Sequence, residues 1–258
     1  MTRRTPLSPY ACAVTTSPDA VRWSERGAAL FDLDGVITPT AEVHMAAWSA
    51  MFNGYLAHRQ PGAAPYTDAD YFAHVDGKPR YDGVRDFLAS RGIDLPLGTP
   101  DDDPAEETVC GLGNRKNDAF NEVLARDGVT AYPGSVKLLD HLASIGLPLA
   151  VVSSSKNAPA VLAAAGLTDR FVTVVDGKVA TDLGIAGKPA PDTYQHAADV
   201  LGVPYAAAVV LEDAVSGVQA GAAGGFALTI GVDRGAGVDV LTEAGADVVV
   251  DDLAELVP

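Results

Sequence analysis

Cysteine is scarce in this sequence, since Cys12 and Cys110 are the only two in 258 residues. Two cysteines are too few for a disulfide scaffold, and no paired Cys and His spacing indicates a zinc site. Long apolar runs are also missing, because none approaches the roughly 20 residues needed to cross a bilayer. Arg3 and Arg4 resemble a twin-arginine start, but polar residues and prolines interrupt the segment that follows. We therefore expect a cytoplasmic location and no membrane association.

Basic residues are few as well. The 18 Lys and Arg stand against 34 Asp and Glu, which gives a net charge of −16. Binding to nucleic-acid phosphates requires an excess of basic charge, so the composition argues against a nucleic-acid partner. An anionic small-molecule substrate would need local cations or a metal ion to offset this charge.

Short, continuous apolar runs recur along the chain. They lie at 28–32, 147–153, 171–175, 206–213, 226–232 and 246–252. Such runs are typical of strands buried on both faces of a parallel sheet. Helix-like segments between them lie at 157–165, 190–202 and 214–223. The alternation predicts an α/β fold with a doubly wound parallel sheet, a Rossmann-like core.

One long stretch, 41–130, interrupts this alternation. It lacks a comparable apolar strand, and amphipathic helices are predicted at 42–58, 67–74, 80–91 and 104–127. We therefore predict an inserted helical cap domain at 41–130 and a catalytic core formed by 28–40 and 131–258. Residues 1–27 form a polar N-terminal leader, in which Trp23 indicates that the last part packs on the core.

Polar side chains follow several of the predicted strands, at the edge where open parallel sheets bind ligands. They are Asp32 and Asp34 after the first strand, 153–157 after the second, Glu212 and Asp213 after the fourth, and Lys188 in a Gly- and Pro-flanked loop. Side chains two apart on an extended strand share a face, so two carboxylates there repel unless a divalent cation lies between them. Oxygen ligands without His or Cys favour Mg²⁺. Each acid taken alone could instead cap a helix.

Together these groups suit phosphoryl transfer. Asp32 would be the nucleophile that forms an aspartyl phosphate, and Asp34 would be the general acid and base. Mg²⁺ and Lys188 would neutralise the phosphate oxygens, which Ser153 would orient. Taken alone, Ser153 could be part of a helix N-cap and Lys188 a solvated surface lysine.

Four signatures appear in order: FDLDGV (31–36), VVSSS (151–155), GKPAPD (187–192) and LEDAVSG (211–217). In these four signatures the chain closely resembles the haloacid dehalogenase superfamily of phosphotransferases. The spacing between the signatures resembles that of members with a helical cap. Within it the chain looks most like the β-phosphoglucomutase family. The matches to this family are Thr40, Ala41, Glu42, His44, Trp48, Gly77, Arg80, 115–118 and 155–157.

This resemblance implies a reaction and a set of roles. The reaction is conversion of β-glucose 1-phosphate to glucose 6-phosphate through a bisphosphate. The expected cofactor is Mg²⁺, and the expected small-molecule partner is a sugar phosphate. The enzyme is expected to be a monomer. The implied catalytic residues are Asp32, Asp34, Ser153, Lys188, His44 and Thr40. The implied substrate-binding residues are Arg80, Lys116, Gly77, Ser154, Ser155, Lys156 and Asn157. The implied Mg²⁺ ligands are Asp32, Asp34 through its carbonyl, and Asp213, with Glu212 beside them.

Two other functions stay open from the sequence. One is a sugar-phosphate phosphatase, in which water completes the reaction. Arg80, Lys116 and the Ser-Lys-Asn run at 155–157 favour the mutase, because a bisphosphate needs a second anion site. The other is a noncatalytic Mg²⁺-dependent switch of the receiver type, which requires neither a helical insertion nor Asp34. Departures from the family are Pro39, where an acid is usual, and longer cap loops at 59–66 and 92–104.

Overall fold

A computed structural model describes residues 21–258, which contain a six-stranded sheet. The strands are β1 (Ala28–Phe31), β2 (Leu149–Val152), β3 (Thr173–Val175), β4 (Ala208–Glu212), β5 (Leu228–Val232) and β6 (Val248–Val250). Their order is β3-β2-β1-β4-β5-β6, and every neighbouring pair is parallel. The chain moves outward from β1 first to one edge and then to the other. The predicted doubly wound parallel sheet is therefore confirmed.

Ten α-helices connect these strands within residues 21–258. They are α1 (Thr40–Arg59), α2 (Asp68–His74), α3 (Arg80–Ser90), α4 (Val109–Asp127), α5 (Pro133–Ser144), α6 (Ala158–Ala164), α7 (Gly177–Leu183), α8 (Asp192–Leu201), α9 (Val215–Ala223) and α10 (Val238–Ala244). The sequence prediction did not include α5, α7 or α10. It also began the fourth insertion helix too early, because Thr108 caps α4 by accepting the Gly111 N–H at 2.9 Å.

The apolar runs are explained by burial of both sheet faces. In β1, Ala29 and Phe31 pack into one hydrophobic cluster with Leu138 of α5. Ala28 and Leu30 pack into another on the opposite face. Because successive side chains of a strand point to opposite faces, each residue of β1 must be apolar.

Helices α1–α4 lie between β1 and α5 and have a hydrophobic cluster of their own. It includes Trp48, Phe52 and Phe87, and the ring centroids of Phe52 and Phe87 are 4.2 Å apart. A separate core of this kind is what an inserted domain needs in order to pack independently.

The segment before β1 packs on the sheet domain from Val21 onward. Trp23 is buried, and its indole N–H donates to the Leu256 carbonyl at 2.9 Å. The rest of the predicted leader, residues 1–20, and Cys12 lie outside the described residues. Among residues 21–258, none of the helices has both the length and the apolar character that crossing a bilayer requires.

Candidate active site

Asp32 stands at the carboxyl edge of the sheet, directly after β1 ends at Phe31. Its backbone N–H donates to the Leu211 carbonyl of β4 at 2.9 Å. The chain then turns, with Gly35 at φ +95°. A Cβ at Gly35 would lie 1.8 Å from Asp213 Oδ2, so only glycine lets the loop approach that carboxylate.

This turn corrects the expectation that Asp32 and Asp34 lie on an extended strand. The strand stops before Asp32, and the two carboxylates have different partners. Three carboxylates have oxygens within 4.8 Å of one another, namely those of Asp32, Glu212 and Asp213. The Asp34 carboxylate is not one of them.

Lys188 lies in the middle of these acids, with its side chain 1% exposed. Its ammonium group contacts Asp32 and Glu212 and donates to the Val152 carbonyl at 3.1 Å. Burial opposes the charge of Lys188, but Asp32 and Glu212 outweigh burial and raise the pKa of the ammonium. Lys188 is therefore a buried, charged lysine, as the proposed neutralising role requires.

Glu212 is held from several sides. Besides Lys188, it accepts the Tyr194 hydroxyl at 3.1 Å on Oε1 and the Ala214 N–H at 2.9 Å on Oε2. Glu212 therefore positions Lys188, while Asp32 and Asp213 have more freely available oxygens. Tyr194 was not identified from the sequence.

The cluster of three carboxylates, from Asp32, Glu212 and Asp213, fits the Mg²⁺ that the sequence predicts. Burial raises the pKa of Asp32 and of Asp213 well above the ordinary range, and the neighbouring acids add to this effect. One lysine therefore does not balance the negative charge of this buried group. A hard divalent cation is the partner that such a set of oxygens favours.

Asp34 has its own partners, on α1 and directly after β2. It accepts the Thr40 hydroxyl on Oδ1 and the Ser153 hydroxyl on Oδ2 at 3.3 Å, and His44 Nε2 lies 3.4 Å from Oδ1. Burial works against the charge, but His44 and Thr40 outweigh it and lower the pKa of Asp34 to about 2. Asp34 is therefore ionised in this state, and its low pKa makes the carboxylate a weak base.

His44 of the insertion, the segment that contains α1–α4, lies against Asp34, and Lys116 lies behind His44. Lys116 contacts His44 Nδ1 and lies 4.9 Å from the ring centroid of Trp48. Burial, with the charge of Arg80 added to it, lowers the pKa of Lys116 to about 7. The His44 ring stacks on Phe120 with centroids 4.0 Å apart. An incoming anion would stabilise the charge on Lys116.

Arg80, at the start of α3, is held by two asparagine side chains of α4. Its guanidinium donates to Asn117 Oδ1 at 2.8 Å and to Asn114 Oδ1 at 3.3 Å. Asn157 also donates to Asn117 Oδ1, at 2.8 Å. Asn117 thus joins two of the residues that the resemblance implies to bind substrate, one from each part of the chain.

The cleft between the insertion and the sheet brings most of the predicted site residues together. Those that line it are Asp32, Asp34, His44, Gly77, Arg80, Lys116, Ser153, Ser154, Ser155 and Asp213. Thr40, Asn157, Lys188 and Glu212 lie behind this lining, bonded to residues of the site. Lys156 is exposed and lines an adjoining cavity of about 580 Å³, which shares Arg80, Ser153 and Ser154 with the cleft.

Sequence reasoning assigned no role to the other residues of the lining. They are Trp48, Tyr71, Val75, Asp76, Lys78 and Ala214. Asp76 is the most notable, because it brings another carboxylate from the insertion. Burial raises the pKa of Asp76 to about 7, although a hydrogen bond with Tyr71 opposes the shift. The only available signal was its position beside Gly77.

Comparison with known proteins gives a consistent picture. A family model described as haloacid dehalogenase-like hydrolase matches residues 27–225. A β-phosphoglucomutase of Mycobacterium bovis is 52% identical over 248 residues, which cover 93% of this chain and 92% of that protein. Hexitol phosphatase A of Escherichia coli is 32% identical, covering 76% of this chain and 78% of that protein. A crystal structure of β-phosphoglucomutase from Clostridium difficile has the same fold, with a TM-score of 0.73, 24% identity, and coverage of 90% of this chain and 93% of that one.

Proposed function

The chain belongs to the haloacid dehalogenase-like hydrolase family, as an enzyme of the β-phosphoglucomutase kind, and on this premise we propose that it interconverts β-glucose 1-phosphate and glucose 6-phosphate through β-glucose 1,6-bisphosphate. The observation that carries this proposal is that cations stand on both sides of the cleft, behind its sheet-side lining and in the insertion that lines its other side. Lys188 pairs with Asp32 on the sheet side, and Arg80 and Lys116 belong to the insertion. A sugar bisphosphate needs a cation for each phosphate.

The proposed chemistry passes through an aspartyl phosphate. An oxygen of Asp32 forms a bond to phosphorus while the bond from phosphorus to the sugar oxygen breaks, and Asp34 supplies a proton to that oxygen. In the return step Asp34 removes the proton of the attacking sugar hydroxyl. The nearby negative phosphate favours the protonated form of Asp34 and so offsets the low pKa of the free state.

The other residues of the site prepare this transfer. Lys188 keeps the negative charge near Asp32 partly neutralised, and Ser153, whose hydroxyl donates to Asp34, would orient the phosphate. His44 and Thr40 hold the Asp34 carboxylate in position. Mg²⁺ held by Asp32, Asp213 and the Asp34 carbonyl would supply charge neutralisation of the transferred phosphate.

We propose that 41–130 acts as a cap that closes over the bound sugar phosphate and excludes water from the aspartyl phosphate. The chain enters this segment near Thr38–Val43 and leaves it near Gly128–Gly134. A hydrogen bond of 2.9 Å from the Tyr132 N–H to the Ile37 carbonyl joins the two connections. A shared pivot of this kind supports movement of the insertion as one body.

Phosphorus NMR of the protein tests the proposed reaction directly. With Mg²⁺, β-glucose 1-phosphate and a trace of glucose 1,6-bisphosphate, we expect the glucose 6-phosphate signal to grow while inorganic phosphate stays a minor product. The phosphatase alternative, which the similarity to a hexitol phosphatase supports, predicts stoichiometric inorganic phosphate instead. A mixture that stays unchanged would contradict both enzymatic functions.

Substitution of Arg80 distinguishes the mutase from the phosphatase. Its planar guanidinium can donate two parallel hydrogen bonds to one phosphate. Arg80→Ala should therefore raise the activation free energy for turnover of the sugar bisphosphate by about 2–4 kcal/mol. Arg80→Lys should recover only part of this loss. Hydrolysis of acetyl phosphate, which has no distal phosphate, should fall much less, as steady-state rates would measure.

Arg85 provides a matched control on the same helix. It is exposed and pairs with Asp82 three residues earlier. Arg85→Ala should therefore leave both activities near wild type. If Arg80→Ala lowered both activities equally, Arg80 would serve the fold of the insertion, and the mutase proposal would lose its main support.

A further inference from the structure

Two serines of the sheet domain hold the loop between α2 and α3. The Ser216 hydroxyl, on α9, donates to the Asp76 carbonyl at 3.0 Å. The Ser154 hydroxyl, after β2, donates to the Gly77 carbonyl at 2.7 Å. Consecutive carbonyls of the insertion are therefore bound by hydroxyls from two different elements of the sheet domain.

The fit around this loop is too close for a side chain at Gly77. A Cβ there would lie 2.3 Å from Ser216 Oγ and 2.9 Å from Ala214 Cβ, and the φ of +68° also favours glycine. On the other side of the loop, a Cβ at Gly187 would lie 2.7 Å from Pro79 Cγ. The loop is thus seated between two parts of the sheet domain.

This loop leads directly into Arg80. Pro79 precedes α3, whose first residue is Arg80, and Asp76 and Gly77 both line the cleft. The position of the loop therefore determines the distance between the Arg80 guanidinium and Asp32. Ser216 is 6% exposed and is not among the residues that line the cleft.

We propose that Ser216 is a positioning residue, whose hydrogen bond to the Asp76 carbonyl, together with that of Ser154 to Gly77, latches the insertion onto the sheet domain. This inference rests on the proposed function and deepens it, because the latch determines whether a sugar hydroxyl or water accepts the phosphoryl group of the aspartyl phosphate. With the latch closed, a sugar hydroxyl takes the phosphoryl group. With it open, water attacks phosphorus, the bond to Asp32 breaks, Asp34 accepts the proton, and inorganic phosphate leaves.

The size of the effect follows from the loss of one hydrogen bond. Such a bond contributes a net stabilisation that corresponds to about a fivefold change in an equilibrium constant. Ser216→Ala should therefore shift the closure equilibrium about fivefold toward the open state. The ratio of inorganic phosphate to glucose 6-phosphate should rise about fivefold at most, and KM for β-glucose 1-phosphate should rise with it.

Ser216→Thr and Ser90→Ala complete this experiment. Ser216→Thr keeps the hydroxyl and should return the product ratio toward wild type. Ser90→Ala removes a hydroxyl that donates to the Phe87 carbonyl at 2.7 Å within α3, so it should change nothing. A product ratio in Ser216→Ala equal to wild type would overturn the proposal. Equal losses in the Ala and Thr variants, with a lowered melting temperature, would also overturn it, because they would mark Ser216 as a packing residue.

A second measurement does not depend on the sugar. Trp48 lines the cleft, whereas Trp23, the other tryptophan, is buried against Leu256 and provides a constant signal. Fluorescence titration with inorganic phosphate and Mg²⁺ should give an apparent Kd about fivefold weaker in Ser216→Ala than in wild type. If wild type forms no glucose 6-phosphate, the proposed function fails, but this titration still tests the latch. An unchanged Kd would overturn the latch alone.

Discussion

Asp32→Asn should abolish turnover of every phosphate substrate. The amide keeps the shape of the carboxylate but lacks the charge that attacks phosphorus. Asp32 is buried at the end of β1, in contact with Lys188, so no neighbouring acid stands in the same place. Loss of a nucleophile lowers kcat by several orders of magnitude. Steady-state rates with β-glucose 1-phosphate and with acetyl phosphate measure the effect.

The fold of this variant should survive the change. Lys188 keeps Glu212 as its partner. The substitution also removes one negative charge from a buried carboxylate cluster that a single lysine does not neutralise. Thermal unfolding should therefore stay near wild type, which separates lost chemistry from lost structure. Chelation of Mg²⁺ should abolish turnover of the wild type as well. Retention by Asp32→Asn of more than about a hundredth of the wild-type rate would contradict covalent catalysis.

Lys188→Met should lower the free energy of unfolding by about 3–5 kcal/mol, as expected when one partner of a buried ion pair is removed. The side chains of Lys188 and Glu212 are 1% and 0% exposed, so water cannot compensate for the missing charge. Methionine fills a similar volume, and most of the loss is therefore electrostatic. Urea denaturation measures it, and Lys178→Met is the matched control because Lys178 pairs with Asp182 on the surface.

Mg²⁺ provides a second test of the same variant. A cation that binds the folded carboxylates but not the unfolded chain stabilises the fold. Because Lys188→Met leaves Asp32 and Glu212 without their positive partner, Mg²⁺ should raise the melting temperature of this variant more than that of wild type. A Lys188→Met protein as stable as wild type would show that the acids around Lys188 are protonated rather than paired.

The sheet and much of its active edge could be predicted because their signals are local. A run such as 28–31 is apolar at every position, which only a strand between two cores requires. Asp32 and Asp213 follow such runs directly, and parallel strands bring their carboxyl ends to one edge. Distance along the sequence is no obstacle to this inference, because topology sets the neighbours.

Other site residues could not be predicted because their roles depend on tertiary packing. Asp76 resembles any acid in a polar turn until the insertion is placed against the sheet. Tyr194 fits the apolar face of α8 with Ala197 and Ala198, and nothing in that pattern reveals the bond to Glu212. Asn117 contacts Arg80 and Asn157 across two parts of the chain that no sequence period relates.

The central place of β1 has a consequence for the order in which the chain folds. Phe31 is in register with Val151 on one side and with Leu211 on the other, so the first strand synthesised waits for partners made much later. Helices α1–α4 emerge in the interval, and their own hydrophobic cluster lets them pack before either partner exists. During synthesis, β1 therefore presents two unpaired edges beside an already folded insertion. We expect the ribosome-bound chain to be most exposed to misassembly between completion of α4 and completion of β4, the later of the two partners of β1.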